Sequence, residues 1–159
     1  MLFYVLIALV VGIDQWVKYY VRTSLQIGES VPLIDGLINL TSHRNPGAAF
    51  GILAGQTWFF LLSTLVVLIA VLYYRRKGEL KGRPLLETGV ALLVGGAIGN
   101  AIDRVVHGVV TDFFDLQFVH YAIFNVADVA INVGVALMAL SILIEWIRGS
   151  KQASAQQGE

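Results

Sequence analysis

Residues 58–83 read WFFLLSTLVVLIAVLYY followed directly by RRKGELKGR. The first part, Trp58 to Tyr74, holds no charged residue and is close to the ~20 apolar residues a helix needs to cross a bilayer. The second part, Arg75 to Arg83, is a short connection with five basic residues against one acid. By the positive-inside rule such a loop stays in the cytoplasm. One stretch therefore predicts both a membrane span and its direction.

Three further apolar stretches flank it: Leu2 to about Tyr20, Leu85 to about Ile102, and about Ala122 to Ile147. Met1 to Ile13 lacks the basic start and small-residue cleavage site of a secretory signal and runs into Asp14, Trp16 and Lys18, which predicts a retained helix. Four spans put both termini in the cytoplasm and turn residues 21–57 and 103–121 outward. Trp16, Trp58 and Trp146 sit near span ends, as interfacial anchors do. Between Leu25 and Phe50, β-branched and apolar residues at Gln26-Ile27 and Val31 to Ser42 are punctuated by Pro32, Asp35 and Gly36. That pattern predicts a small strand platform on the outer membrane surface. The expected fold is an all-α membrane protein, a bundle of four transmembrane helices with a small extracytoplasmic β platform. A single membrane domain over 1–149 precedes a disordered cytoplasmic tail over 150–159.

Composition agrees. The 159 residues are 57% apolar and 14% charged, and the mean hydropathy of +0.72 lies outside the range of soluble domains. Lys and Arg number 11 and Asp and Glu 11, so no net field favours a nucleic-acid partner. No cysteine is present, which removes disulfides, thiolate metal sites and a cysteine nucleophile together.

Polar residues inside spans are expensive and mark function. At a rise of ~1.5 Å per residue, Asp14 lies about 20 Å above the inner face, Asn100 about 22 Å, Asp103 about 27 Å and Asp128 about 30 Å. Three helices thus bring polar groups to the same outer third, where a shared pocket opening outward accounts for them. On the fourth span Asn125, Asp128 and Asn132 follow an i, i+3, i+7 pattern and share one face. Asn100, Asp103 and Arg104 group on the third, after Gly95, Gly96 and Gly99, which allow close backbone approach. Asp14 and Lys18 are spaced i, i+4, suited to an intrahelical ion pair. After Arg104, Gly108 permits a turn, and the β-branched run that follows can return Asp112 to the membrane surface beside Asp128. Two carboxyl groups in one partly dry site share a proton: one serves as base for water, the other as donor to a carbonyl. Aspartyl peptide hydrolysis requires that pairing.

The blocks Asp14-Gln15-Trp16-Val17-Lys18, Asn45-Pro46-Gly47-Ala48-Ala49-Phe50, Gly99-Asn100-Ala101-Ile102-Asp103-Arg104, Val110-Thr111-Asp112-Phe113 and Phe124-Asn125-Val126-Ala127-Asp128 resemble the signature blocks of lipoprotein signal peptidase, bacterial signal peptidase II. The resemblance implies an aspartic endopeptidase of the bacterial inner membrane, surrounded by membrane lipid. Its substrate would be a lipidated prolipoprotein, cut just before the diacylglyceryl-modified cysteine. It also implies Asp112 and Asp128 as the catalytic pair and Asn45, Asn100, Arg104 and Asn125 as pocket residues holding substrate backbone. Asp14, Lys18 and Asp103 fall at supporting positions, no cofactor is needed, and the cyclic peptide globomycin is an inhibitor.

Other chemistries fit less well. His43, His107 and His120 form no i, i+4 ligand pair, so no metal site is expected. No Gly-x-Ser-x-Gly occurs, and Ser63 and Ser141 stand alone among apolar residues. Asp14, Lys18 and Asp128 could form the proton relay of a small transporter or export subunit, or the chain could be a noncatalytic scaffold. Transport requires access from both sides, yet the inner halves of the spans carry only Glu87 and Glu145.

Overall fold

The computed structural model describes residues 1–48 and 52–156; Ala49 and Phe50, the end of the block that begins at Asn45, lie outside the described residues. The helices are α1 (Leu2–Ser24), α2 (Thr57–Arg76), α3 (Pro84–His107) and α4 (Val126–Gln156). All four are long and apolar enough to cross a membrane. Large apolar side chains such as Leu62, Val66 and Ile69 of α2 and Leu140 and Ile142 of α4 project outward, a surface suited to acyl chains. The strands β1 (Ser30–Ile34), β2 (Ile38–Asn45) and β3 (Val110–Leu116) form one antiparallel sheet in the order β1-β2-β3. The four helices and small sheet expected from the sequence are therefore present.

Helix α3 is the centre of the bundle and packs against each of the other three, whereas α2 buries no residue of its own. Glycines make the close packing possible. A Cβ on Gly96 would stand 2.3 Å from the Ala127 carbonyl oxygen, and one on Gly89 would stand 2.7 Å from that of Gly134. Lipid tails give helices no hydrophobic reason to associate, so this backbone approach supplies much of the α3–α4 attraction. Because the opposing atom at Gly96 is backbone, Gly96→Ala should force the helices apart and cost about 1–3 kcal/mol. Thermal unfolding in detergent checks this: the midpoint falls below that of the parent, whereas Gly12→Ala, with open space around its Cβ position, leaves it unchanged.

At one end of the bundle, ion pairs join the helices. Arg75 of α2 reaches Glu87 of α3 at 2.6 Å and stacks its guanidinium 4.1 Å from the Phe3 ring of α1. Arg83 binds Glu145 of α4. At the other end, Gly108 takes φ +73° and caps α3 with its N–H on the Arg104 carbonyl, a left-handed turn that only glycine adopts without strain. The chain then enters β3, which pairs with β2 and brings Asn45 opposite Val110.

Three boundaries differ from expectation. Gln26 and Ile27 lie in a turn closed by the Glu29 N–H on the Gln26 carbonyl, with Gly28 at φ +86°, so strand structure begins only at Ser30. The fourth helix starts at Val126 and not near Ala122, because Phe124 is bonded to Phe114 of β3 in both directions. Helix α4 also continues through Gln156, past Ser150 where the tail was expected to begin; Ala and Gln are compatible with helix there.

Candidate active site

Asp112 arrives from β3 and Asp128 from the first turn of α4. Asp112 is 1% exposed, and two amides hold it: Asn45 Nδ2 donates to Oδ2 at 2.8 Å and Asn125 Nδ2 to Oδ1 at 2.6 Å. Asp128 accepts from Asn100 Nδ2 at 2.8 Å and from the Asn125 backbone N–H at 3.1 Å. Asn125 Oδ1 accepts in return from the Asp128 N–H at 2.9 Å. That reciprocal pair is a capping box, so Asn125 is the N-cap of α4 and not a residue on its helical face. Released from the helix, the Asn125 side chain turns to Asp112 and joins the two carboxyl groups through one residue.

Behind this pair lies a dry layer of charge. Lys18 is fully buried, with Nζ 2.8 Å from Asp14 Oδ2, 2.9 Å from Asn100 Oδ1 and 3.7 Å from Asp103 Oδ2. Asp14 Oδ1 accepts the Ala127 N–H at 2.9 Å, placing a carboxylate on the N-terminus of α4 where the helix dipole favours it. Gly99 leaves room for that carboxylate, since a Cβ there would stand 2.6 Å from Asp14 Oδ2. Asp103 Oδ2 accepts the Thr111 N–H at 2.8 Å and so sets the strand residue next to Asp112. Arg104 donates to the Gly47 carbonyl at 2.9 Å, its guanidinium 4.3 Å from the Phe60 ring.

A cavity of about 760 Å³ opens onto these groups. Asn45, Asn100, Arg104, Asp112 and Asp128 line its polar end, while Phe60 and Val67 of α2 and Val129 and Val133 of α4 line its apolar part. Asp14, Lys18, Asp103 and Asn125 stand behind that wall and hold it. Asp115, in contrast, is bonded to Thr41 on the sheet. Two positions without an assigned role belong to the network. Gln15 Nε2 spans the Gly99 carbonyl, Asp14 Oδ2 and Asp103 Oδ1 at 3.0 to 3.2 Å, and Arg22 reaches Asp103 Oδ1 and Thr111 Oγ1, each at 3.2 Å. The spacing Asp14, Lys18, Arg22 was the available signal for Arg22, an i, i+4, i+8 stripe on one helix face.

Burial, and then the charge of Asp128, push the Asp112 carboxyl up to about 7, against the opposing amides of Asn45 and Asn125. One carboxyl of the pair thus keeps its proton up to neutral pH. A donor and a base at one mouth suit acid–base attack on a carbonyl by water.

Four membrane-length helices and a carboxyl pair on a shared cavity define a polytopic membrane enzyme. The family model described as signal peptidase (SPase) II matches residues 6–144. A lipoprotein signal peptidase of Halalkalibacterium halodurans is 44% identical over 157 residues, covering 98% of this chain and all of its own length. That of Bacillus subtilis (strain 168) is 45% identical over 147 residues, 91% of this chain and 95% of its own. A solved bacterial membrane enzyme, determined by the in meso method at 2.3 Å resolution, superposes with a TM-score of 0.86 at 39% identity, covering 90% of this chain and 88% of that one. The chain belongs to the signal peptidase II family.

Proposed function

We propose that Asp112 and Asp128 are the catalytic pair of an aspartic endopeptidase that cuts diacylglyceryl-modified prolipoproteins just before the lipidated cysteine. Cleavage of prolipoprotein signal peptides is the work of this protease family and of this chain, and it leaves the transporter and scaffold readings without support. The observation that carries the aspartic mechanism is the cavity shared by both carboxyl groups, one of them raised to about 7.

Asp128 takes a proton from water as the oxygen attacks the scissile carbonyl carbon. Protonated Asp112 donates to the carbonyl oxygen, which becomes a hydroxyl of the tetrahedral intermediate. Asp128 then passes its proton to the amide nitrogen, the C–N bond breaks, and Asp112 recovers its proton as the carbonyl reforms. Asn45, Asn100 and Asn125 hold the carboxyl oxygens, and Arg104 faces the cavity for substrate backbone. Asp14, Lys18 and Asp103 position the pair from behind. No metal or cofactor enters this scheme. Detergent-purified chain given a lipidated prolipoprotein should therefore lose none of its cleavage to EDTA or phenanthroline, read as the mass of the released fragments. Loss restored by zinc would end the aspartyl mechanism, and a globomycin-type inhibitor is expected to block the same site.

We place the chain in the bacterial cytoplasmic membrane, with both termini inside and the sheet and carboxyl pair toward the outer face. The basic loop from Arg75 to Arg83 supports this direction. A reporter active only in the cytoplasm should work when fused after Lys77 or Lys151 and fail after Gly55 or Gly108. The reverse pattern overturns the orientation.

A further inference from the structure

The apolar part of the cavity contains one amide. Asn132 lies on α4 one turn beyond Asp128, exposed, on the cavity wall between Val129 and Val133. A polar side chain at membrane depth is costly unless it meets protein, water or ligand. Its Nδ2 donates to the Asp128 carbonyl at 3.0 Å. A carbonyl only accepts, so the amide orientation is fixed and Oδ1 points away from the helix backbone. Among the described residues Oδ1 has no donor. The two α2 hydroxyl groups that line the cavity are committed differently: Ser63 and Thr64 donate to the Phe59 and Phe60 carbonyls of their own helix at 2.8 and 3.0 Å.

A peptide bond can be attacked only in an unwound segment, and unwinding in a low-dielectric groove strips main-chain N–H groups of their partners. Each needs an acceptor, or it costs the binding energy of the substrate. We propose that Asn132 positions the substrate, its Oδ1 accepting a main-chain N–H on the signal-peptide side of the scissile bond. Four helical residues separate it from Asp128, about 6 Å along the axis. Extended peptide advances ~3.3 Å per residue, so the donor is about two residues before the cut bond. The side follows from α4 running inward from Asp128, as the signal peptide does.

The inference rests on the peptidase function proposed above, and the test separates the two. Full-length chain in nanodiscs is given synthetic diacylglyceryl-modified substrates, one all-amide and three with an ester replacing the amide N–H at the first, second or third residue before the cut bond. For the parent, one ester, expected at the second residue, lowers kcat/KM about 3- to 10-fold. Asn132→Ala lowers kcat/KM on the all-amide substrate by the same factor, and the ester costs it nothing further. Asn132 is exposed, so the variant folds, and the ester series on the parent is a readout independent of any variant. Cleavage by Asn132→Ala at the parental rate, or an equal ester penalty in both proteins, overturns the role of Asn132 alone. No cleavage of the all-amide substrate by the parent overturns the peptidase function and this inference together.

Discussion

Asparagine in place of either Asp112 or Asp128 should leave a chain that inserts, folds and binds inhibitor, yet cleaves a thousandfold or more slowly, an effect of about the size seen when one member of a catalytic unit is lost. Asparagine keeps the size and much of the hydrogen bonding while removing the exchangeable proton. The double variant should be scarcely slower than either single one, because both losses remove the same shared step. Asp115→Asn, bonded to Thr41 on the sheet, should retain activity. The pH dependence follows from Asp112. Its carboxyl, raised to about 7, is protonated below that pH and ionised above it, so kcat falls as pH rises through about 7. Stability has the same sign. The unfolded carboxyl releases its proton near 4, while the folded one holds it to about 7, so the parent loses stability as pH rises across that window. Asp112→Asn lacks that loss and should unfold at a higher temperature than the parent above pH 7. A gel-shift cleavage assay with membrane yield measured alongside tests the set, and normal turnover by a folded Asp112→Asn or Asp128→Asn chain would sink the pair.

Lys18→Met should be the most destabilising single change in the bundle. The ammonium is fully buried between Asp14 and Asp103, and methionine fills its space without its charge. Breaking a buried pair from one side costs about 3–5 kcal/mol, since the abandoned carboxylate stays in a dry site. Arg22 continues to serve Asp103, which leaves Asp14 as the orphan. Adding Asp14→Asn to Lys18→Met should therefore recover part of the lost stability, measured by unfolding in detergent. Activity should not return with it, because Lys18 also holds Asn100, and Asn100 holds Asp128. Equal stability of Lys18→Met and the parent would remove the buried network from its structural role.

The spans, and the gathering of Asp14, Asn100, Asp103 and Asp128 into one network, could be read from the sequence because lipid imposes length and apolarity residue by residue. The return of the chain to Asp112 was also local, carried by Gly108 and the run after it. Non-local pairings were not readable. That β3 completes the sheet, and that Asn45 meets Asp112 across 67 positions, depends on strand register, which a β-bulge between Leu40 and His43 resets. Asn125 looked helical because its spacing to Asp128 and Asn132 is helical. Only the bond between Phe124 and Phe114, distant in chain and near in space, shows why the helix begins one residue later.

The bond from the Ala127 N–H to Asp14 closes 113 positions of chain, and it has a consequence for timing during synthesis. A ribosome delivers Asp14 in the first moments of translation and Asp128 near the end. Until the last span leaves the translocon, Asp14 and Lys18 have no α4 to hold, and the second carboxyl of the pair is absent. If Asp112 and Asp128 are the catalytic pair proposed above, a chain that ends before α4 is expected to be proteolytically silent. On the proposed mechanism, activity begins only once α4 has packed against α1.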